Sequence, residues 1–206
     1  MEAKVTALGG VSNDAKTIIE FQVPYMVEAN IEGTAPILFH RWSCEAVEEK
    51  AKAAKGSKAK KSDDTETFLY RDGKGFIAIP AEYFRQSIIH AAKFKQDPRS
   101  PRKSAMDLFK AGIATIGELC SLGVKDPDYY DRRRVVIQRN AITRTRPAMT
   151  AGWKCTVNLQ ILLPEYINPA LANEVLQYSG RIVGVGDFRP SFGRFQVTGF
   201  NVIELK

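Results

Sequence analysis

"NPALANEVLQYSGRIVGVGDFRPSFGRFQVTGFNVIEL", residues 168–205, places a helix, a glycine-rich corner and a strand in one run. Asn168 suits an N-cap and Pro169 the first helical position, while Ala172, Val175, Leu176 and Ser179 share one face at helical spacing. Gly180 suits the C-terminal stop. From Phe195 the pattern is that of a closing strand. Between the two lies "GVGDFRPSFGRF", residues 184–195, with three glycines, two arginines and three phenylalanines, more than a corner needs.

The segments upstream supply partners for that strand. "WKCTVNLQILLP" alternates cleanly, with Cys155, Val157, Leu159 and Ile161 on one side and Thr156, Asn158 and Gln160 on the other. "RRRVVIQRNAITRTRP" packs six arginines into residues 132–146 among strand-forming Val, Ile and Thr. "AGIATIGELCSL" predicts one more strand, followed by the turn-rich "GVKDPDYYD". "TFLYRDGKGFIAIP" predicts a hairpin around its D-G-K-G turn. In "PAEYFRQSIIHAAKFK", Ala81, Phe84, Ile88 and Ala91 line one helical face, with Pro80 at its start. "QDPRSPRKS" breaks that helix as an exposed basic loop.

Nearer the N-terminus, "TIIEFQVPYMVEANIEG", residues 17–33, predicts a long first strand. "APILFHRWSCEAVEEKAKAAK" predicts a first helix with Leu38, Trp42 and Val47 toward the core. The element order is β-α-ββ-α, a β-rich middle, then α-β. That order gives an α+β fold with an antiparallel sheet backed by helices. A single domain over residues 1–206 is expected, with a flexible N-terminus at 1–16, a mobile Lys-rich loop at 50–66 and a β-hairpin insertion at 123–152.

Of the 206 residues, 44% are hydrophobic and 10% aromatic, the composition of an ordinary globular chain. No run approaches the ~18 apolar residues of a membrane helix, and the first residues lack the pattern of a secretory signal, so a cytoplasmic protein with no membrane partner is expected. Cys44, Cys120 and Cys155 are widely spaced and odd in number, which fits buried free thiols rather than a disulfide framework or a zinc site. Thirty Lys and Arg against 23 Asp and Glu give +7, a balance that favours polyanionic partners.

The distribution of that charge is more informative. Gly184, Gly186 and Gly193 can adopt positive φ, leave no Cβ before an approaching backbone, and let successive N–H groups form an anion-binding concavity. Arg189 and Arg194 add forked phosphate donors. Phe188, Phe192 and Phe195 offer either stacking faces for bases or ordinary core packing, and burial is the commoner fate of phenylalanine. The loop follows a helix and precedes a strand, so it is neither a dinucleotide fingerprint nor a P-loop. In the arginine segment Arg144 and Arg146 share a strand face, and with Arg132, Arg133, Arg134 and Arg139 they suit a ribbon along a phosphate backbone. Lys58, Lys60 and Lys61 belong to a stretch holding six lysines between positions 50 and 61 with almost nothing to bury, and they join the candidate nucleic-acid contacts.

"IPAEYFRQSIIHAA", with Arg85 in its second turn, and "GVGDFRPSFGRF" together resemble the helix motif and the C-terminal glycine-rich loop of the repeat-associated mysterious proteins of CRISPR systems. The resemblance is closest to the branch that forms the backbone of RNA-guided effector complexes, and it extends to small uncharacterised proteins of phages and mobile elements. It implies a ferredoxin-like fold related to RNA-recognition domains, an inserted hairpin thumb, and head-to-tail polymerisation into a helical or ring assembly along a guide RNA. Other effector-complex subunits are implied as partners. The chain departs from the family in carrying Tyr83 and Gln86 where Ser and Gly are common.

Some members of that branch cut RNA with metal ions and an acidic residue after the first strand. The matching stretch here, "EGTAPILFHRW", has no Asp, and Asp63, Asp64 and Asp187 lack the partner carboxylates that a two-metal site uses. Another branch processes RNA with a histidine near the first helix, where this chain has His40; His90 sits on the second helix. A lone histidine in an apolar stretch is more often a packed residue. The expectation is therefore a non-catalytic binder of single-stranded nucleic acid, RNA ahead of DNA, without cofactor or metal. A phage-type single-stranded DNA binding or annealing protein is the alternative, and a metal- or histidine-dependent ribonuclease a further one.

Overall fold

A computed structural model describes residues 5–7, 23–41, 52, 65–137 and 140–204. Alternation builds the central sheet. Along β2 (Tyr25–Gly33) Tyr25, Val27, Ala29 and Ile31 are buried, and the residues between them are not. β12 (Lys154–Ile161) pairs with it antiparallel and buries Cys155, Val157, Leu159 and Ile161, the set expected from sequence. Each large apolar side chain removed from water in this way contributes about 1.5–3 kcal/mol.

The sheet runs in the spatial order β1 (Val5–Ala7), β13 (Phe195–Glu204), β2, β12, β8 (Ile113–Ile116), and every neighbouring pair is antiparallel. Its buried face is covered by α1 (Ala81–Ala92) and α3 (Pro169–Ile182), which also pack on one another. Val5–Ala7, expected in a flexible N-terminus, instead adds an edge strand beside Asn201, Val202 and Ile203.

Three smaller sheets surround this core. β4 (Tyr70–Arg71), β5 (Ile77–Pro80) and β9 (Leu119–Ser121) form one, with the expected hairpin turned by Asp72, whose Oδ1 accepts from the N–H groups of Lys74 and Phe76. β6 (Gln96–Asp97) and β7 (Ser100–Ser104) form a two-stranded ribbon where a loop was expected. Asp97 organises it: its carboxylate accepts both the backbone N–H and the guanidinium of Arg99. The third sheet is β10 (Tyr129–Ile137), β11 (Asn140–Met149) and β3 (Ile37–Leu38).

Several boundaries differ from the sequence reading, each for a local reason. Residues 111–121 do not make one strand. They finish α2 (Met106–Gly112), form β8, turn at Gly117 with φ +81, and form β9 in another sheet. Gly180 does not end α3; it is buried within the helix, where a Cβ would stand 2.2 Å from the Phe195 carbonyl oxygen. The stop lies later, at Gly184, whose N–H reaches Ser179 O at 2.9 Å. Leu38 is buried as expected, but in a strand; Trp42, Val47 and Cys44 lie outside the described residues. Cys120 and Cys155 are buried free thiols, and burial pushes Cys120 up to about 12 and Cys155 well above the ordinary thiol value.

Candidate functional site

The open face of the central sheet is the first place to look, since RNA-recognition sheets stack bases on aromatic strand residues. Here that face carries Glu28, Asn30 and Glu32 of β2, beside Thr156 and Asn158 of β12 and Gln196 and Asn201 of β13. These groups satisfy one another: Thr156 Oγ1 donates to Asn30 Oδ1 at 3.0 Å, Gln196 Nε2 to Glu32 at 3.0 Å and Asn201 Nδ2 to Glu28 at 3.3 Å. Lys154 shares this face and lies 3.4 Å from Glu32, so the two carboxylates are partly offset, but no aromatic ring stands among these residues to take a base.

The glycine-rich corner lies elsewhere, against the start of β3. Gly193 donates to Pro36 O at 2.7 Å, and Asp187 N–H to Leu38 O at 3.0 Å. Gly184, Gly186 and Gly193 all have positive φ. The backbone that comes close is the protein's own. A Cβ at Gly193 would stand 1.6 Å from Val185 O, and one at Gly186 2.8 Å from Leu38 O. The glycines thus fold the corner tightly rather than leaving it open to a ligand chain.

β3 pairs with the end of β11, so the corner faces the base of the arginine ribbon. The register Asp131↔Arg146 and Arg133↔Arg144 places those four side chains on one face of the ribbon, and that face meets the corner. Arg146 is only 4% exposed and holds its Nε 2.7 Å from Asp187 Oδ2, an ion pair without hydrogen-bond alignment. Its guanidinium lies 5.1 Å from the Phe188 ring, while that of Arg133 lies 5.2 Å from Phe188 and 4.6 Å from Phe192. Arg133 is also paired with Asp131. The result is an alternating stack, Phe192, Arg133, Phe188, Arg146, that clasps ribbon to corner. Phe188 has φ 56, a left-handed backbone that is unfavourable for a bulky residue, and its N–H donates to Asp187 Oδ1 at 2.9 Å.

Asp187 is the hinge-pin of this clasp. The His40 ring is the largest influence holding its carboxyl below the usual carboxylate range; the Arg146 charge and the Phe188 N–H add to it, and burial opposes. The Arg146 contact at 2.7 Å is nonetheless shorter than the 3.5 Å to His40 Nδ1. Arg144 approaches the other ring nitrogen, with Nη1 3.2 Å from His40 Nε2. A guanidinium has only donors, so Nε2 accepts and the ring hydrogen sits on Nδ1, facing Asp187. Both ring nitrogens thus have a partner within the clasp.

His40 and Asp187 also border a 360 Å³ cavity between β3, the start of α1 and the corner, with Tyr70, Tyr83 and Arg189 on its rim. The two tyrosine hydroxyls lie 3.2 Å apart. Among the described residues no group of three or more His, Cys, Asp or Glu side chains is gathered closely enough to hold a metal ion.

The sequence-derived candidates therefore divide. Arg133, Arg144 and Arg146 face inward, which corrects the expectation of an open groove between ribbon and corner: the protein's own side chains fill it. Phe192 is half-buried in the same clasp, and Phe195 is buried against Phe84. Arg85 is also committed within the fold. It donates to Lys110 O and Ile113 O, both at 2.7 Å, and to Glu82, so it ties α1 to the end of α2.

Arg132 and Arg134 occupy the ribbon's outer face with Tyr130, opposite Thr145, Thr143 and Pro147, and both arginines are exposed. Arg189 and Arg194 are exposed on the corner. None of these four guanidinium groups has a carboxylate partner among the described residues. Arg139, Lys58, Lys60 and Lys61, like Asp63 and Asp64, lie outside the described residues. Tyr130, 55% exposed, was missed in the sequence, although its parity with Arg132 and Arg134 is visible there.

Comparison with known proteins adds a fold likeness. No family model matches the chain, and no curated protein matches it. Among solved structures it is similar to a chain of the "Cryo-EM structure of the Type III-B Cmr-beta bound to cognate target RNA", with TM-score 0.50 and 9% identity, over 91% of this chain and 63% of that chain. This chain thus spans less than two thirds of that one, and at such identity the likeness concerns the fold. No helix among the described residues is long and apolar enough to cross a membrane.

Proposed function

We propose that this protein binds single-stranded nucleic acid, RNA ahead of DNA, without cutting it, and associates with further copies along the strand in the manner of a CRISPR effector backbone subunit. In this reading it belongs with the repeat-associated mysterious proteins and works in the cytoplasm. Support for a ferredoxin-like core comes from the chain order β2-α1-β8-β12-α3-β13 combined with the spatial order β13-β2-β12-β8. The solved neighbour is a complex bound to target RNA, which favours RNA as the ligand.

One observation carries the reading. The clasp holds the ribbon by its inner face, and the outer face is left with Tyr130, Arg132 and Arg134 in one row, without an acid partner among the described residues. Two forked donors and an aromatic ring at strand spacing suit a sugar–phosphate chain whose bases are unpaired. Arg189 and Arg194 extend the same chemistry to the corner. For a single strand each neutralised phosphate contributes a salt slope of about −0.7, so these four contacts account for about −3. His40, with both nitrogens engaged, is read as part of the clasp rather than as a general base.

The test is equilibrium binding of RNA and DNA of equal length across a salt series, for the wild type and for Arg132→Ala/Arg134→Ala/Arg189→Ala/Arg194→Ala. Tighter RNA binding by the wild type, with a salt slope lost in the variant, is expected. Equal slopes and affinities in the two proteins would remove the proposed surface, and tighter DNA binding would replace RNA by DNA as the ligand. Cleavage of labelled RNA by pure protein would overturn the non-catalytic part.

A further inference from the structure

A second groove lies on the other side of the corner, between α3 and the start of β13. It has a volume of 560 Å³ and is bordered by Thr34, Lys95, Tyr178, Arg181, Arg194 and Gln196. Its charge is unbalanced: Lys95 is paired with Glu174, whereas Arg181 and Arg194 have no acid partner among the described residues. Its floor is aromatic. The Tyr178 ring has Arg181 at 4.9 Å and Lys95 at 5.1 Å, and its edge meets Phe94 with centroids 6.4 Å apart. Phe94 is 64% exposed, the most exposed of the large apolar side chains among the described residues, although its ring edge touches Tyr178 of α3.

We infer that this groove carries a bound strand onward from the glycine-rich corner, with Arg194 and Arg181 on successive phosphates and Phe94 as a stacking face for a base. The inference rests on the proposed single-strand binding and extends it to residues outside the ribbon. Three features favour nucleic acid over a protein segment. The charges without an acid partner are guanidinium groups, the exposed Phe94 ring stands beside them, and Thr34, Gln177 and Gln196 make part of the lining polar. Arg194 borders both the corner and the groove, so the path is continuous. The alternative path, over the open sheet, would bring phosphates against Glu28 and Glu32.

Arg181 also lies in the last turn of α3, where a cation offsets the helix dipole. Thermal stability is therefore measured beside binding. The experiment compares wild type, Arg181→Glu and Phe94→Ala on a single-stranded RNA of about 6 nucleotides, near the short end of the roughly 4–16 that a typical site covers, and on one of about 20, beyond its long end. For the long strand Arg181→Glu lowers the salt slope by at least about 0.7, and Phe94→Ala weakens binding at least about fivefold; the short strand, held at the ribbon, is unaffected. Unchanged long-strand binding in both variants overturns the inference while leaving the ribbon reading intact. Absence of strand binding by the wild type overturns the ribbon reading itself. A change in sedimentation with unchanged strand affinity would assign the groove to a protein contact and also overturn the inference.

Discussion

Asp187→Ala is the sharpest perturbation of the clasp. Arg146 is 4% exposed, and its Nε and Nη1 have no hydrogen-bond acceptor, so Asp187 at 2.7 Å is its main compensation. Removing one partner of a fully buried pair costs about 3–5 kcal/mol. The Asp187 side chain is 31% exposed, so entering water screens the orphaned guanidinium and brings this toward about 2 kcal/mol. The Phe188 N–H loses its acceptor as well, which adds about 1 kcal/mol. The expected loss is about 3 kcal/mol by urea denaturation. Restoring an apolar contact with Arg146→Met in the same chain should recover at least about 1 kcal/mol relative to the sum of the single variants, because no buried charge is then left unpaired. A loss below about 0.5 kcal/mol, or strict additivity, would refute the claim that this pair fastens ribbon to corner.

The same carboxylate gives a pH dependence. Its folded value lies below the unfolded value of about 3.9, so its contribution is fully present at neutral pH and is shed as pH falls below about 4; the melting-temperature gap between wild type and Asp187→Asn should close over that range. Gly193→Ala should prevent the corner from closing, since its Cβ would stand 1.6 Å from Val185 O, and hydrogen exchange at Val185 and Gly193 should accelerate sharply. Arg85→Ala should cost about 1–3 kcal/mol by releasing the Lys110 and Ile113 carbonyls, with strand affinity per folded molecule unchanged.

The segments most legible in the sequence are those decided by periodicity. Residues 155–161, 81–91 and 172–179 bury the faces that their spacing marks, and Asn168 caps α3 through Leu171 N–H at 2.9 Å. Pairing partners were harder. The sequence shows that Arg144 and Arg146 share a face, but only the register against Asp131 and Arg133 shows that this face turns inward. Asp187 reads as a local turn acid, because its partners His40 and Arg146 come from elements far away in the chain. Gly180 and Gly193 look alike as helix or loop punctuation, yet each is small because Phe195 or Val185 presses on it. Long-range packing, not local propensity, decided these positions.

In the proposed complex a strand lies along the outer row of Tyr130, Arg132 and Arg134. Photo-crosslinking of the intact protein to single-stranded RNA, read by mass spectrometry of the joined peptides, tests it most directly. Crosslinks are expected within residues 130–134 and at the corner near Arg189 and Arg194. Crosslinks confined to the open sheet at Asn30, Thr156 or Asn158 would contradict it.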